Sequence, residues 1–498
     1  MKRTTSAREL LLAIGRGRGP TLRGQLESEL RAAIRTGRLP GGTALPSTRA
    51  LAADLGVSRG VTVLAYEQLI AEGYLTAATG SATRVATRPS HSAAPAAVAR
   101  SVDAPRYDFR PGLPDVSLFP RRAWLSSLRR VLDAATGDAL GYPDPRGALQ
   151  ARTALADYVN RTRATVALPD RMVLCSGYAQ GLRLLAAVLR SRGVRRVAVE
   201  DPGHGGQRAD LQAMGLGVRP VPVDGGGLQV DRLRRLDVGA VLVTPAHQFP
   251  TGVVLAPERR AALLEWAAAR RAVVIEDDYD AEYRFDREPI GALQGLAEGA
   301  VAYLGSASKT LAPALRIGWL LLPAALVDRV ALAKLHADHG SPTLEQLAFA
   351  DFLERDGLDR HLRKVRPIYR RRRDALLAAL KSRLPGLRVE GVAAGLHLMV
   401  SLPPGTDEEA LADAAMTQSV RIYGAGPHRS RPGPPALLLG YASLSESDIE
   451  ASVALLARVL ATTASTARPR RARIWDPAER ALAARVAADD AERGRQTG

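Results

Sequence analysis

The fold of this chain is decided by one stretch, Leu304-Gly305-Ser306-Ala307-Ser308-Lys309-Thr310-Leu311-Ala312-Pro313-Ala314-Leu315-Arg316-Ile317-Gly318-Trp319. The apolar run that leads into it predicts a buried strand. Hydroxyls at Ser306 and Ser308 then flank the amine of Lys309, and the guanidinium of Arg316 follows seven residues after that amine. Serine and arginine side chains can hold a phosphate while a lysine amine condenses with an aldehyde.

Lysine is rare in this chain. Of the 69 basic residues only five are lysines, and none lies between Lys2 and Lys309. A lysine amine can lose its proton and attack a carbonyl, whereas arginine stays charged. The sequence around Lys334, Lys364 and Lys381 offers no comparable set of hydroxyls and guanidinium. We therefore single out Lys309, although an arginine-biased composition would also leave some lysines without a role.

A second apolar run, residues 272–276, predicts a buried strand that leads directly into Asp277-Asp278-Tyr279-Asp280. Open α/β sheets bind ligands at the carboxyl ends of their strands. A carboxylate beside a pyridinium nitrogen is the partner that pyridoxal phosphate (PLP) requires. Taken one at a time, a surface lysine, a helix-capping aspartate and a core tyrosine would explain these residues equally well.

The length and composition divide the chain into segments. Its 498 residues exceed a single hydrophobic core, so we expect several domains. We predict a basic N-terminal domain at 1–88, a flexible Ala/Pro/Ser-rich linker at 89–106, an α/β domain at 107–465 and a basic, disordered tail at 466–498. Within 107–465, short Val/Ile/Leu runs alternate with amphipathic stretches, as parallel sheets covered by helices require.

Charge and cysteine usage restrict the classes of protein. A net charge of +18 and a pI near 10.6 favour a polyanionic partner. The single cysteine, Cys175, excludes an intrachain disulfide, and no Cys/His cluster has metal-ligand spacing, so we expect no metal. The apolar run at residues 10–14 is too short for a signal peptide or a membrane span. We expect a cytoplasmic protein that does not contact a membrane.

Residues 1–88 carry 13 Lys/Arg against 6 Asp/Glu and contain three helical patterns. The first helix ends at Gly37 and has an apolar stripe of Leu22, Leu26, Leu30 and Ile34. Ser47 caps a second helix that ends at Gly56, and Ser58 caps a third. On the third helix, the residues expected to face the core are Val61, Ala65 and Leu69. Residues 73–76 and 83–85, with a turn at Thr79-Gly80, predict a hairpin that forms the wing of a helix-turn-helix.

In a helix-turn-helix, the exposed N-terminal end of the last helix meets base edges, and basic residues nearby contact phosphates. Arg59, Gly60 and Thr62 lie at that end on this interpretation, and Arg49 and Arg84 suit phosphate contacts. The predicted DNA-binding residues are Arg49, Ser58, Arg59, Gly60, Thr62 and Arg84.

This segment resembles the winged helix-turn-helix of the GntR regulator family. The match runs through Gly37-Arg38-Leu39-Pro40, Leu45-Pro46-Ser47-Thr48-Arg49, Leu51-Ala52, Leu55-Gly56-Val57-Ser58-Arg59, Ala65-Tyr66-Glu67-Gln68-Leu69 and Glu72-Gly73-Tyr74-Leu75. Gly60 and Ala82 depart from the family pattern, at a base-contacting position and in the wing. The resemblance implies that the partner is double-stranded DNA.

The remainder resembles fold-type I aminotransferases, and more closely the MocR branch of GntR regulators. The match runs through Phe109-Arg110-Pro111-Gly112-Leu113-Pro114-Asp115, Phe119-Pro120, Gly141-Tyr142-Pro143-Asp144-Pro145-Arg146-Gly147, Ser176-Gly177-Tyr178-Ala179-Gln180, Glu200-Asp201-Pro202-Gly203, Thr244-Pro245-Ala246-His247-Gln248-Phe249-Pro250-Thr251-Gly252 and the Lys309 stretch. The resemblance implies a multidomain chain, with an N-terminal winged helix-turn-helix and a C-terminal α/β fold-type I PLP-dependent aminotransferase-like domain on a mixed, mostly parallel sheet.

The resemblance also implies a role for each matching residue. Lys309 would form the internal aldimine with PLP, and Asp277 would pair with the pyridine nitrogen, with Asp278 as the alternate if the register slips by one. Tyr279 would bond the phenolic oxygen, and His204 stands where the ring-stacking tyrosine usually lies. The other implied cofactor-binding residues are Ser306, Ser308, Arg316, Gly177, Tyr178, His247 and, from the partner subunit of a homodimer, Tyr142.

One departure bears on function. Relatives that turn over or sense amino acids carry an arginine for the substrate carboxylate in a C-terminal strand, and here Leu438 occupies that position. Leucine cannot make the bidentate contact. Arg429 and Arg431 lie close enough in sequence to substitute. The departure favours sensing of PLP itself, as in the regulators of vitamin B6 synthesis within this branch.

We therefore expect a PLP-responsive transcription factor rather than an enzyme, in which PLP on Lys309 is the effector that changes how a homodimer binds DNA. Three alternatives remain open: an amino-acid-sensing regulator of the same branch, a working aminotransferase fused to a DNA-binding domain, and an aminotransferase relic that binds no cofactor.

Overall fold

The computed structural model describes residues 14, 21–77, 82–87, 105–285 and 290–463. The chain divides into two units, Met1–Ser101 and Val102–Gly498. This division falls inside the predicted linker, of which only residues 105 and 106 are among those described. The predicted tail and the wing turn at Thr79-Gly80 lie outside the described residues.

The first unit contains three helices and a hairpin: α1 (Leu22–Arg35), α2 (Thr48–Leu55), α3 (Arg59–Ala71), β1 (Leu75–Thr76) and β2 (Arg84–Val85). Ser47 caps α2 by accepting a hydrogen bond from the Ala50 N–H, and Gly56 ends it in the left-handed region at φ 64°. The two strands pair antiparallel. The predicted helix-turn-helix with a wing is therefore confirmed.

The buried face of α3 differs in part from the predicted one, since Ala65 and Leu69 are buried but Val61 is not. Val61 is half-buried, whereas Thr62 is fully buried and its hydroxyl donates to the carbonyls of Thr48 (2.8 Å) and Arg59 (2.9 Å). The expectation that Thr62 faces DNA is therefore wrong, because its hydroxyl bonds the first residues of α2 and α3 and its side chain is buried. The buried residues of α3 are Thr62, Ala65, Tyr66 and Leu69.

The second unit alternates strands and helices over most of its length. Its first half contains β3 (Tyr107–Asp108), α4 (Arg121–Ala134), α5 (Leu149–Arg163), β4 (Met172–Cys175), α6 (Tyr178–Ser191), β5 (Arg196–Asp201), α7 (Gly205–Ala213), β6 (Gly217–Asp224), β7 (Gly227–Leu228), α8 (Val230–Leu233), β8 (Ala240–Val243), α9 (Pro257–Arg270) and β9 (Val273–Asp278). Its second half contains β10 (Val301–Ser306), β11 (Gly318–Leu321), α10 (Ala324–Asp338), α11 (Thr343–Glu354), α12 (Gly357–Arg383), β12 (Arg388–Glu390), β13 (His397–Ser401), α13 (Glu408–Thr417), β14 (Val420–Arg421), β15 (Tyr423–Gly424), β16 (Ala436–Gly440) and α14 (Glu446–Thr463).

An eight-stranded sheet forms the centre of this unit, in the order β4-β11-β10-β9-β8-β5-β6-β7. The pairs from β10 through β6 are parallel, and β11 runs antiparallel to both of its neighbours. Strands β9 and β10 are the two predicted from the apolar runs before Asp277 and Ser306. Their central residues, like those of β5 and β8, are buried as a sheet covered on both faces requires. This mixed, mostly parallel sheet confirms the predicted fold class.

A second, antiparallel sheet follows, in the order β12-β13-β16-β15. Its strand β16 carries Leu438, which is fully buried and pairs with Met399 and Tyr423. Among the described residues, no helix combines the length and the apolar character needed to cross a bilayer.

Candidate cofactor site and DNA-binding surface

The predicted cofactor residues converge because their strands end side by side. In the parallel pair β9 and β10, Asp277 lies opposite Leu304, so the acidic end of one strand meets the serine-rich end of the other. Strand β11 then places Gly318 opposite both Ser306 and Cys175, which brings the start of α6 to the same edge. This edge is the carboxyl end of the parallel strands, where α/β sheets bind ligands.

Lys309 follows this edge directly and is half-buried. The buried Tyr283 hydroxyl donates to the Lys309 carbonyl (3.0 Å) and fixes the backbone there. Gly112 approaches the amine so closely that a Cβ at that position would lie 3.2 Å from Nζ. Burial lowers the pKa of the Lys309 amine, and the carboxylates of Asp280 and Asp277 act in the opposite direction. A lowered pKa increases the fraction of the amine that is neutral and therefore nucleophilic.

The two adjacent aspartates at the end of β9 have different partners. Asp278 lies beside the buried guanidinium of Arg163 (2.6 Å) and accepts a hydrogen bond from the Tyr303 hydroxyl (2.6 Å). Asp277 accepts a hydrogen bond from the Gln207 amide (2.6 Å), and among the described residues it has no guanidinium beside it and no partner for Oδ1. Burial raises the pKa of Asp277 to about 8. Among the described residues, a buried carboxyl that makes no ion-pair contact is thus available at the position predicted for the ring partner.

Tyr279 and His247 form a buried polar group next to these aspartates. The His247 Nδ1 lies 2.9 Å from Asp280 Oδ2 and 3.1 Å from the Tyr279 hydroxyl oxygen. Gly395 makes room for the imidazole, since a Cβ there would lie 2.1 Å from His247 Cε1. Asp280 and the Tyr279 hydroxyl thus share one ring nitrogen of His247, which places the tyrosine predicted to face the cofactor beside this carboxylate and imidazole.

A set of hydroxyl, guanidinium and backbone donors, which we term the serine-arginine cup, consists of Ser306, Ser308, Arg316 and the Gly177-Tyr178 backbone. The Ser306 hydroxyl donates to the Ser308 hydroxyl (2.7 Å) and accepts from the Ser308 N–H (3.0 Å). Gly177 has φ 86°, and a Cβ there would lie 2.6 Å from Arg316 Nη2. Tyr178 begins α6, so the cup includes the N-terminus of a 14-residue helix. Such a set of donors suits an anion.

His204 lies beside this region as the N-cap of α7. Its Nδ1 accepts a hydrogen bond from the Gln207 N–H (3.3 Å), and its ring centre is 5.3 Å from that of Phe249. The Gln207 side chain is the one that binds Asp277. Helix α7 thus positions both the predicted ring-stacking histidine and a partner of the predicted ring-binding carboxylate.

The predicted DNA-contacting residues divide into exposed and engaged side chains. Arg49, Ser58, Arg59 and Gly60 are exposed, and the Ser58 hydroxyl makes no capping bond although Ser58 stands at the N-cap position. Arg84 on the wing is half-buried and donates to the Gly42 carbonyl (2.8 Å). The N-terminal end of α3 therefore presents a hydroxyl, a guanidinium and a glycine to solvent.

Two family models match the chain: the gntR family of bacterial regulatory proteins over residues 22–85, and the class I and II aminotransferases over residues 115–454. Over 483 residues the chain is 32% identical to the probable rhizopine catabolism regulatory protein MocR of Rhizobium meliloti, covering 92% of this chain and 98% of the relative. The chain belongs to the MocR subfamily of GntR-type transcriptional regulators.

Two further likenesses of this MocR-type regulator are to a second regulator and to a solved aminotransferase structure. The chain is 34% identical to the pyridoxine biosynthesis transcriptional regulator PdxR of Corynebacterium glutamicum, over 76% of this chain and 82% of the relative. It also matches the crystal structure of LysN, an α-aminoadipate aminotransferase from Thermus thermophilus complexed with a phosphopyridoxyl-leucine, with 28% identity and a TM-score of 0.66 over 72% of this chain and 92% of that one. The second unit therefore has the fold of PLP-dependent class I and II aminotransferases.

Leu438, which was predicted to stand where amino-acid-binding relatives carry an arginine, lies in an apolar setting in this MocR-type regulator. Leu438 is fully buried within β16. Of the two arginines that could substitute by sequence, Arg429 lies 3.8 Å from Glu408, and Arg431 is exposed. Tyr142, expected to reach a partner subunit, is 94% exposed, with its ring centre 6.4 Å from that of His339.

Several residues of the site had no assigned role from sequence. Asp280 belongs to the acidic run after β9, so its position was a usable signal. Gly112 lies in a motif that resembles the family, but nothing in the sequence indicated its contact with Lys309. Gln207 carries no sequence signal, because it reaches Asp277 only through the packing of α7.

Proposed function

We propose that this chain is a PLP-responsive transcriptional regulator in which Lys309 holds the cofactor covalently and cofactor occupancy alters DNA binding. The cofactor would supply an aldehyde that condenses with the lysine amine, and an electron-withdrawing ring. The side chains described above supply the other parts of the site. The proposal further assigns control of vitamin B6 synthesis, on the likeness to the pyridoxine biosynthesis regulator.

The observation that carries the proposal is the buried carboxyl of Asp277. Its Oδ1 has no hydrogen-bond partner among the described residues, and burial raises its pKa to about 8. Leaving a buried carboxyl oxygen unpaired costs free energy, so such a group favours a ligand that can donate to it. A protonated pyridine nitrogen is a donor of that kind. The residues present therefore fit PLP at this edge of the sheet.

The remaining residues would divide the work of binding. The serine-arginine cup would hold the phosphate, Tyr279 the phenolic oxygen and His204 one face of the ring. The Lys309 amine, whose pKa is lowered by burial, would react with the aldehyde of the cofactor. Each side chain binds or orients the cofactor, and none of these roles requires turnover.

The apolar residue at position 438 supports regulation without turnover and sensing of PLP rather than of an amino acid. A buried leucine cannot clamp a carboxylate, and the neighbouring Arg429 lies beside Glu408. Of the two arginines that could replace the missing clamp, Arg429 is thus near a carboxylate and Arg431 is exposed.

We further propose that the regulator acts as a homodimer, because two winged helices would match two DNA half-sites. The near-complete exposure of Tyr142 supports a contact with a partner subunit. Cofactor binding would favour one arrangement of the dimer, and the difference in DNA affinity between arrangements would set the size of the response.

The test is the visible spectrum of the purified full-length protein with and without PLP, followed by borohydride reduction and peptide mass mapping. We expect a PLP-dependent visible band and a reduced adduct on Lys309. Lys309→Ala should lose both, whereas Lys364→Ala, which removes an exposed lysine, should keep both. Failure of the wild-type protein to form a borohydride-reducible adduct would contradict the proposal.

A further inference from the structure

Lys334 is the second lysine of this arginine-rich chain with a specific environment. The sequence around it gives no sign of a role. Its side chain, on α10, is nevertheless fully buried. Fully buried lysines are rare unless the ammonium is paired. Its surroundings therefore need an account that goes beyond helix packing.

The Lys334 ammonium has an acceptor for each of its three protons. It donates to Asp338 Oδ2 (2.8 Å), to the Ser341 hydroxyl (2.9 Å) and, at a longer distance, to the Gln180 amide oxygen (3.4 Å). An ammonium presents three donors around one nitrogen, whereas a guanidinium is planar and larger. The geometry thus favours a lysine here, in a chain whose basic residues are mostly arginine.

Two of these acceptors, Gln180 and Ser341, also contact Ser176. The Ser176 N–H donates to the same Gln180 oxygen (2.7 Å), and the Ser176 hydroxyl lies 3.3 Å from that of Ser341. The Ser176 carbonyl accepts a hydrogen bond from Arg316 (2.6 Å). All three polar groups of Ser176 are therefore fixed, two of them by side chains that Lys334 contacts.

Ser176 directly precedes the Gly177-Tyr178 backbone of the serine-arginine cup, and its carbonyl orients the arginine of that cup. We infer that Lys334 is a positioning residue that, through Gln180 and Ser341, sets the cup in the geometry that binds the phosphate of PLP. This inference rests on the proposed function, because it requires PLP phosphate in the cup. It adds a determinant of selectivity for phosphorylated over unphosphorylated pyridoxal.

The positioning role has a consequence that a purely structural role lacks. Loss of the ammonium would remove the donor to the Ser341 hydroxyl and one of the contacts of Gln180, which would then be held by Asp338 (2.6 Å) alone on that side. Lys309 and Asp277 make no hydrogen bond to Lys334 and should keep their geometry. Affinity for PLP should fall, and affinity for pyridoxal, which has no phosphate, should not. General destabilisation of the unit would lower both affinities together.

The experiment measures dissociation constants of the full-length protein for PLP and for pyridoxal by absorbance titration. For Lys334→Met we expect about tenfold weaker PLP binding, the effect of losing hydrogen bonds to a charged group, with unchanged pyridoxal binding. Lys364→Met removes an exposed lysine and should change neither constant. Ser341→Ala removes one link without unpairing a charge, so it should fold even if Lys334→Met does not, and should weaken PLP binding about threefold.

The outcomes separate this inference from the proposed function. If wild-type protein binds PLP but Lys334→Met and Ser341→Ala keep the wild-type ratio of PLP to pyridoxal affinity, the inference alone is wrong. Equal loss of both affinities would also overturn it, because the role would then be structural. If the wild-type protein binds no PLP, the proposed function fails and the inference fails with it.

Discussion

The DNA-binding surface and the cofactor site place their functional side chains in opposite environments. At the start of α3, Ser58 and Arg59 are exposed and need no partner within the protein. At the ends of β9 and β10, Asp277 is buried with an unpaired oxygen, and burial lowers the pKa of Lys309. A surface that binds DNA adds little cost to folding, whereas a pocket that binds a small molecule keeps polar groups out of water before the ligand arrives.

The largest effect should follow from disturbing the serine-arginine cup. In Gly177→Ala, the new Cβ would lie 2.6 Å from Arg316 Nη2 and displace it, so we expect PLP affinity to fall on the order of a hundredfold, as small misplacements at binding sites do. Operator binding without PLP should not change. Titration of PLP measures the effect.

Gly193→Ala is the matched control for this change. Gly193 also has a positive φ, 93°, but no atom of the described part of the chain lies within 4 Å of its added Cβ. It should therefore carry the same backbone strain without loss of PLP affinity. An equal loss in both variants would show that strain, not the contact with Arg316, explains the result.

The DNA-binding surface is tested by Arg59→Ala. We expect operator affinity to fall about thirtyfold, or about 2 kcal/mol, the usual worth of a bidentate contact to a base. Arg59→Lys keeps the positive charge but not the bidentate guanidinium. It should therefore lose most of that binding free energy while the salt dependence of operator binding stays the same. Arg183→Ala removes an exposed arginine from the second unit, where it pairs with Asp210, and controls for the change in net charge. Loss of PLP affinity in Arg59→Ala would break the separation of the two sites.

The cost of the pocket can be measured with Asp277→Asn in the absence of PLP. Burial raises the pKa of Asp277 to about 8, so its contribution to stability is full below the ordinary pKa near 3.8 and is lost as pH rises toward 8. Asparagine does not titrate, so the variant should gain on the wild type as pH rises from 6 to 8, by about 1–2 kcal/mol of unfolding free energy. Urea unfolding at both pH values checks this.

Asp278→Asn is the neighbouring control. It leaves the buried Arg163 without its carboxylate and should destabilise the unit at both pH values. A pH-independent difference between Asp277→Asn and wild type would contradict the raised pKa.

The smallest effect should come from Thr62→Val. Its hydroxyl bonds the carbonyls of Thr48 and Arg59, so removing it should destabilise the first unit by about 1 kcal/mol. Preference among operator sequences should stay unchanged, because the side chain is fully buried. A change in base preference, measured by selection from random DNA, would restore Thr62 to the DNA-reading residues.

Sequence patterns predicted most of the fold because they are local. Apolar runs located β9 and β10, and capping residues located α2. The burial of Thr62 could not be predicted, since threonine suits either face of a helix. The hydrogen bond that decides it goes from the Thr62 hydroxyl to the Thr48 carbonyl in another helix. Strand ends pointed to Lys309 and Asp277, both next to apolar runs.

The network around Lys334 could not be predicted for a different reason. Its acceptor Gln180 is 154 residues away in sequence, and only the packing of α6 against α10 brings the two together. The same limit hid Gln207, which lies 70 residues from the aspartate it binds. Long-range contacts among polar side chains leave no periodic signal in the chain.

The central claim is that PLP on Lys309 changes how the protein binds DNA. The direct measurement is a fluorescence-anisotropy titration of an operator, selected from random DNA by the full-length protein, with and without PLP, for wild type and Lys309→Ala. We expect PLP to shift the wild-type Kd by about fivefold or more, at the lower end of typical allosteric coupling, and to leave the Kd of Lys309→Ala unchanged. Equal Kd values for wild type with and without PLP, while borohydride trapping shows Lys309 fully loaded, would contradict the account.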